Sequence, residues 1–455
     1  MSTSASAPVI GAKIGFGEKL AYGAGDLASN FIFTTVNTFL LIFYTDVFGI
    51  APAVAGVILL GARLWDAIND PIMGMIVDRT ATRWGKFRPY LLFGAVPFAI
   101  LGILTFTVPT RLGETARLVY AVLTYVGLGM VYTAVNTPYG ALTSAMTQDP
   151  RERTSISAVR MFMALLGAFL VSTLLPILVP ILGGDSPARG YQLTMVIFGV
   201  TAAVLFVVTF CGVTERITAP QSHKKVTIGD FFKVVRNNDQ LLILCVVFLV
   251  LFASTSIVSA VGLFFFTYVL GDAQLFSVYA LANFVPLVLG IPIMTYVASK
   301  IGKKQALIYG LLISLLGPLG VALFTHNFQL LVITRVVASI GGAATVAIIW
   351  GLVPDTIEYG EWKTGIRAEG ATYSIVGFFF KLGVTFGGLV PGLVLERAGY
   401  VANQGQVQSS IDAIVALYSV VPIVIGLVGV ALTLLYKLDE KTYRAILHTL
   451  AEREM

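Results

Sequence analysis

Charged residues are scarce in this chain. Asp, Glu, Lys and Arg make up 12% of its 455 residues, against roughly 25% in soluble globular domains. Hydrophobic residues make up 57%, and the mean hydropathy is +0.87. So few polar groups cannot cover a surface that faces water, so the composition excludes a soluble globular protein. We expect lipid to cover most of the molecule.

The side chains that most often carry catalysis or bind metals are also few. The chain has two cysteines, Cys211 and Cys245, and three histidines, His223, His326 and His448, without metal-ligand spacing. We interpret the cysteines as small apolar residues. The sequence shows no nucleophile elbow and no phosphate-binding loop. We therefore expect neither an enzyme nor a cofactor.

Long apolar stretches are what the chain has instead. Twelve of them are long enough for a membrane-spanning helix, which needs about 20 residues. They lack the period-two alternation of a membrane β-barrel, so the sequence predicts an all-α membrane protein with twelve transmembrane helices. The predicted spans are 20–48, 53–77, 88–109, 117–146, 156–182, 190–212, 240–269, 275–298, 305–324, 328–353, 370–395 and 410–436.

A polar segment divides the spans into two groups of six. Basic loops follow the second span of each group, and acid-bearing loops follow the fourth. Two matching six-span halves are typical of the major facilitator fold, whose substrate binds between the halves near the bilayer midplane. We expect a six-helix bundle at 1–213, a cytoplasmic loop at 214–239, a second six-helix bundle at 240–436 and a cytoplasmic tail at 437–455.

The distribution of basic residues predicts the orientation. Of the 30 Lys and Arg residues, most lie in segments on the side of the two termini. The opposite loops carry only Arg111, Arg117, Arg189 and Arg397. By the positive-inside rule, we expect both termini of this multi-pass protein to be cytoplasmic. We expect the protein to lie in the inner (cell) membrane. Because the basic residues are spread over short loops facing anionic lipid, nucleic acid is not an expected partner. We expect a monomer.

The stretch RLWDAINDPIMG carries charges inside the second span. Asp66, Asn69 and Asp70 share one helix face, and Arg63 precedes Asp66 by one turn. Each unpaired charge near the bilayer centre costs about 2.5–3.5 kcal/mol, and one arginine cannot neutralise two aspartates. These oxygens, with a hydroxyl from Thr133 in span four, suit a hard monovalent cation. We predict a cation site. The alternative is an ion pair that only joins helices.

A second set of polar residues lies on otherwise apolar helices. Sparse hydrogen-bonding groups beside an aromatic ring are what a sugar site requires. For each residue packing is the alternative, and an arginine near a membrane face can simply extend toward the headgroups. The candidates are Asp26 and Asn30 in span one, Asn136 and Tyr139 in span four, Arg160 in span five and Lys381 in span eleven.

Several motifs, in chain order, resemble the glycoside–pentoside–hexuronide:cation symporter family, whose best-known member is the melibiose permease. They cover nearly the whole chain: YGAGDLASN, FYTDVFGI, RLWDAINDPIMG, RWGKFRPYLLFG, YTAVNTPYGAL, DPRERTS and DTIEYGEWKTGIRAEGATYS. The resemblance implies sugar import coupled to Na⁺ or H⁺ by alternating access. It also implies that Asp66, Asn69, Asp70 and Thr133 hold the coupling ion.

The family's sugar-binding pattern is only partly present. Arg160 and Lys381 match its arginine and lysine, but Asn30 and Asn136 stand where melibiose-type members have carboxylates. Neutral amides remove repulsion toward an anionic sugar, and the motifs are similar to those of the glucuronide and xyloside branches. We therefore expect a glucuronide or other hexuronide. The alternatives are a pentoside such as a xyloside, or a channel-like facilitator without cation coupling.

Charged loop residues on the predicted cytoplasmic side form the last group. Alternating access needs contacts that close the inner face and break when that face opens. A solvated charged loop is the alternative reading. The candidates are Arg88, Arg151, Arg153, Asp355, Glu358 and Glu361.

Overall fold

The computed structural model describes residues 13–147, 149–216, 236–366 and 369–454. This part of the chain is helical, apart from loops and one isolated bridge between Thr82 and Gly85. The helices of the first half are α1 (Phe16–Ile42), α2 (Pro52–Asp78), α3 (Arg88–Thr105), α4 (Glu114–Met146), α5 (Pro150–Gly183) and α6 (Pro187–Gly212).

The second half contains more and shorter helices. They are α7 (Asp239–Phe264), α8 (Leu275–Ile301), α9 (Lys303–Ser314), α10 (Leu316–Phe324), α11 (Phe328–Ile348), α12 (Leu352–Thr364), α13 (Glu369–Arg397), α14 (Gln408–Tyr418), α15 (Val420–Leu435) and α16 (Glu440–Glu454). A π-helical turn follows the first helix of each half, at Phe43–Val47 and at Phe265–Val269. The two halves therefore begin in the same way, as an internal repeat requires.

Three predicted spans are broken within the second half. Each break lies four residues before a proline, which cannot donate the backbone hydrogen bond to that position. A hydropathy pattern does not register such a break, because the residues on both sides remain apolar. The prolines and the residues four before them are Pro318 and Ser314, Pro354 and Trp350, and Pro422 and Tyr418.

Most of the long helices in the described part of the chain could cross a membrane. Eleven helical stretches are long and apolar enough to cross a membrane. Helix α2 has 27 residues and is thus about 40 Å long, which also suffices, but its charged residues lower its apolar character. Large apolar side chains such as Ile181 and Leu323 are 70% exposed. Lipid accounts for that exposure, which in water would be costly.

The chain packs as two compact units. The first comprises Met1–Phe43 and Gly61–Gln221, and the second comprises Tyr44–Leu60 and Ser222–Met455. The boundary between the units at residue 221 falls within the predicted loop at 214–239, most of which lies outside the described residues.

Each unit packs mainly around two of its helices. In the first unit α1 packs against α5 and α6, and α3 packs against α4 and α6. In the second unit α7 packs against α13 and α15, and α11 packs against α8 and α9. The first turns of α2 pack on α13 at glycines: a Cβ on Gly392 would lie 3.1 Å from the Cα of Gly56. That approach requires two residues without side chains.

Candidate functional site

Helices α2 and α4 bring the predicted cation ligands together in the first unit. Thr133 Oγ1 donates a hydrogen bond of 2.9 Å to Asp70 Oδ1. Asp66 and Asn69 are each 8% exposed, and Thr133 is 4% exposed. Span four therefore faces span two at the residues where the sequence placed the cation site.

A glycine allows α4 to approach the Asp66 carboxylate. A Cβ on Gly129 would lie 2.8 Å from Asp66 Oδ1, which is closer than a carbon and an oxygen can sit without displacement. Any larger residue at this position would push the carboxylate aside. The absent side chain is thus part of the shape of the site.

The Asn69 side-chain amide has a buried nitrogen, Nδ2, that makes no hydrogen bond within the described residues. A buried amide left in that condition is costly, and an amide that turns over presents an oxygen acceptor in the same place. The Asn69 side chain therefore has unused hydrogen-bonding capacity on the helix face that it shares with the two aspartates.

Arg63 lies next to the carboxylates but is held by α1. Its Nη2 donates to Asn37 Oδ1 at 2.7 Å, whereas its Nη1 lies 3.6 Å from Asp66 Oδ2. A cavity of about 30 Å³ beside this pair is lined in part by Tyr125 and Tyr132, and it has room for about one water molecule.

The predicted sugar residues of the first unit also lie together. Arg160 on α5 forms an ion pair with Asp26 on α1. Asn30 Nδ2 donates to the Asp26 carbonyl at 2.9 Å. Asn136 Oδ1 on α4 accepts a hydrogen bond of 3.2 Å from Ser29. Three helices thus contribute polar groups to one cluster, and its single arginine is neutralised by its single aspartate.

Tyr139 is a buried residue that packs beside this cluster. Its ring is fully buried and stacks on Tyr22 at a centroid distance of 4.7 Å. Its hydroxyl donates to the Tyr22 carbonyl at 2.7 Å, and the Arg160 guanidinium lies 5.1 Å from its ring centroid. The ring joins α1 to α4 and positions Arg160, so packing is its visible role. Lys381 lies on α13 in the second unit, where its side chain is exposed.

The predicted gate residues of the first unit bind backbone carbonyls. Arg88 Nη2 donates to the Phe210 carbonyl at 2.7 Å, and Arg153 Nε donates to the Thr147 carbonyl at 2.9 Å. The side chain of Arg151 lies outside the described residues. These contacts stabilise loops and helix ends within the unit.

The predicted gate residues of the second unit have side-chain partners. Asp355 accepts hydrogen bonds of 2.7 and 2.9 Å from Lys303 Nζ. Glu358 accepts a hydrogen bond from the Tyr443 hydroxyl. Burial, and secondarily this bond to Glu358, raises the pKa of Tyr443, so Tyr443 remains a donor at physiological pH. Glu361 lies on the same helix, α12.

Two further residues with side-chain partners, Lys303 and Asp46, were not predicted from the sequence. Lys303 belongs to the basic SKIGKK loop, which signalled a loop but not an ion pair. Asp46, in the FYTDVFGI motif, accepts hydrogen bonds from the hydroxyls of Tyr268 and Tyr400, the second at 2.6 Å. Partners more than 200 residues away leave no periodic signal around Asp46.

Solved structures share this fold. A crystal structure of the nucleoside transporter NupG aligns with a TM-score of 0.61 at 13% identity, covering 94% of this chain and 99% of that chain. A bacterial homologue of the human lysosomal transporter Spinster, in its inward-facing and unoccupied conformation, aligns with a TM-score of 0.64 at 13% identity, covering 96% of both chains. At such identities the likeness shows the fold alone. The protein is a multi-pass membrane protein with the major facilitator fold, as predicted.

Sequence comparisons define the family. The family described as "MFS/sugar transport protein" matches residues 21–440. "Uncharacterized symporter YnaJ" of Bacillus subtilis (strain 168) is 42% identical, over 97% of this chain and 96% of that protein. The isoprimeverose transporter of Lactiplantibacillus pentosus is 38% identical (93% and 89%), and the "Glucuronide carrier protein homolog" of Escherichia coli (strain K12) is 36% identical (96% and 95%). This chain belongs to the MFS/sugar transport family, and the predicted resemblance to glycoside–pentoside–hexuronide:cation symporters is confirmed.

Proposed function

We propose that the protein is a secondary active symporter that moves a glycoside across the membrane together with Na⁺ or H⁺. The observation that carries the proposal is the hydrogen bond between Asp70 and Thr133 in a buried cluster with Asp66 and Asn69. Two carboxylates one helical turn apart in a membrane-spanning helix need positive charge. A bound cation supplies it at the place where α2 meets α4.

Cation binding at this site affects the sugar residues through the helices they share. Helix α4 carries both Thr133 and Asn136, which are three residues apart and therefore neighbours on the helix surface. A cation that draws α2 and α4 together fixes the position of Asn136. This coupling is reciprocal, so bound sugar must raise the affinity for the cation by the same factor.

The ion pair between Asp26 and Arg160 bears on the substrate. In a hexuronide site of the kind first expected, Arg160 would meet the sugar carboxylate. In this structure Asp26 already holds that arginine, so the cluster in the first unit is electrically balanced and presents amides. We therefore place a neutral, pentose-containing glycoside ahead of a hexuronide. A relative named as an isoprimeverose transporter supports this choice.

A hexuronide remains the second candidate substrate. Asn30 and Asn136 are neutral at positions where melibiose-type members have carboxylates, and Lys381 supplies a cation on α13. A relative named as a glucuronide carrier homolog supports this reading.

Orientation and gating complete the proposal. Following the basic residues, we place both termini in the cytoplasm of a bacterial-type inner membrane, with the protein acting as an importer. The Lys303–Asp355 pair would belong to the inner gate, because Lys303 lies in a basic loop of the predicted cytoplasmic side.

The test is uptake into proteoliposomes that contain the purified protein. A xyloside, a β-glucuronide and a galactoside are each supplied with a Na⁺ gradient, a H⁺ gradient or neither. Accumulation of the xyloside above equilibrium, driven by one of the cations, is the expected result. Accumulation of the glucuronide alone would keep the symporter and change its substrate. Equal, gradient-independent entry would reject symport in favour of a facilitator.

A further inference from the structure

Arg63 is closer to a neutral amide than to the carboxylate beside it. Its Nη2 donates to Asn37 Oδ1 at 2.7 Å, and its Nη1 lies 3.6 Å from Asp66 Oδ2. Arginine–carboxylate hydrogen bonds are ordinarily about 2.7–2.9 Å long. The guanidinium thus contributes positive charge near the cluster while its short bond goes to α1.

Helix α1 holds this arginine from one face. Phe33 and Asn37 are one helical turn apart, and the Arg63 guanidinium carbon lies 5.5 Å from the Phe33 ring centroid. The ring and the amide together define where the guanidinium sits. Without the amide acceptor, the Asp66 carboxylate, whose Oδ2 already lies 3.6 Å from Nη1, is a charged acceptor within reach of Arg63.

We propose that Asn37 is a positioning residue for cation binding. It keeps the short hydrogen bond of Arg63 on α1 rather than on Asp66, so that the guanidinium does not take the place of the cation at the Asp66 carboxylate. An arginine seated fully on Asp66 would compete with Na⁺ for the same oxygens and would lower the affinity for the ion. This inference rests on the proposed cation symport.

The same contact links the two proposed sites. Asn37 lies seven residues after Asn30 on α1, which is two turns along the same face. A shift of α1 on sugar binding therefore reaches Arg63 through Asn37, and from there the cation site.

Two substitutions at this position separate positioning from packing. Asn37→Leu keeps the size of the side chain and removes the acceptor. Asn37→Asp keeps the shape and strengthens the hold on Arg63, since a carboxylate replaces an amide. Thr35→Ala is the matched control, because Thr35 Oγ1 bonds the Phe31 carbonyl of its own helix.

The measurement is the concentration of the driving cation that gives half-maximal glycoside uptake, with cation-induced thermal stabilisation of the purified protein as a readout independent of transport. We expect Asn37→Leu to raise the half-maximal concentration about 10-fold or more, as loss of a hydrogen bond to a charged group does. Asn37→Asp and Thr35→Ala are expected to keep it at or below the wild-type value.

Two results would overturn the inference while leaving symport intact. They are an unchanged cation dependence in Asn37→Leu, or an equal weakening in Asn37→Leu and Asn37→Asp, which would show a packing role. If neither the uptake nor the thermal stability of the wild-type protein depends on Na⁺ or H⁺, the proposed function is rejected, and the inference with it.

Discussion

Asp70 and Thr133 are 63 residues apart in sequence and are joined by a hydrogen bond of 2.9 Å between α2 and α4. The threonine hydroxyl is the donor and the carboxylate is the acceptor. When a cation takes a place between the two helices, the hydroxyl can rotate and offer its lone pairs to the ion instead. The bond therefore marks the point where the two helices would share a bound cation.

Removal of the Thr133 hydroxyl should weaken cation coupling. Thr133→Val keeps the volume but leaves Asp70 without this donor and the cation without an oxygen. A hydrogen bond to a charged group contributes about 1.5–3 kcal/mol, so the half-maximal cation concentration should rise about tenfold or more. Thr133→Ser, which keeps the hydroxyl, is the control. Equal cation dependence in the valine and serine variants would exclude Thr133 as a ligand.

A methyl group at Gly129 should displace Asp66. The added Cβ would lie 2.8 Å from the carboxylate oxygen, while replacement of glycine by alanine favours the helix itself by about 1 kcal/mol. Gly129→Ala should therefore lose cation-stimulated uptake without losing thermal stability. Gly140→Ala on the same helix is the control, since a Cβ added at Gly140 would meet no neighbouring atom within 4 Å. Full cation stimulation in Gly129→Ala would show that Asp66 does not need its present position.

The ion pair between Arg160 and Asp26 should behave as a pair. Arg160→Gln alone leaves the buried Asp26 carboxylate without its counter-charge. In a site without water this loss costs several kcal/mol of stability. Here we expect about 1–3 kcal/mol, because the Arg160 side chain is 37% exposed and water screens the pair. The melting temperature should fall by several degrees. The double variant Asp26→Asn with Arg160→Gln should recover most of it, and exposed Arg189→Gln should change little.

Glycoside affinity in the same variants distinguishes two roles of Arg160. If Arg160 only balances Asp26, the double variant should bind the substrate nearly as well as the wild type. If Arg160 meets a sugar carboxylate, stability should return in the double variant while affinity stays low. The second outcome would move the substrate back to a hexuronide.

Exchange of the charges at 303 and 355 tests the proposed gate. Lys303→Ala leaves Asp355, which is 4% exposed, without its partner. We expect this variant to lower the maximal transport rate. The half-maximal cation concentration should not change, because neither residue is a proposed cation ligand. Lys303→Asp combined with Asp355→Lys should restore more of the rate than either single change. If the exchanged pair is no better than the single variants, the contact has no gating role.

Local patterns account for what was predictable in the cation site and for what was not. Asp66, Asn69 and Asp70 share a helix face by their spacing alone, so their proximity followed from periodicity. The pair between Asp26 and Arg160 did not, because 134 residues separate the partners and tertiary packing alone brings them together. Because of that pair, we propose a neutral sugar ahead of the anionic sugar that the sequence favoured.

The fold shows the same division between local and tertiary signals. Apolar runs predicted the helices of the first half well, because hydropathy reports lipid exposure directly. They did not predict the break between α9 and α10, where Pro318 removes a hydrogen bond within a continuously apolar stretch. Nor did they predict that the first turns of α2 pack with the second unit, since that depends on Gly56 and Gly392 meeting across two distant helices.

The central claim is that the carboxylates of α2 hold the coupling ion, and Asp70→Asn tests it most directly. Gradient-driven accumulation and equilibrium exchange of the transported glycoside are measured in proteoliposomes, with exposed Asp412→Asn as the control. The account predicts that Asp70→Asn loses accumulation but keeps equilibrium exchange of the sugar, while Asp412→Asn keeps both. Cation-driven accumulation by Asp70→Asn at the wild-type level would contradict it.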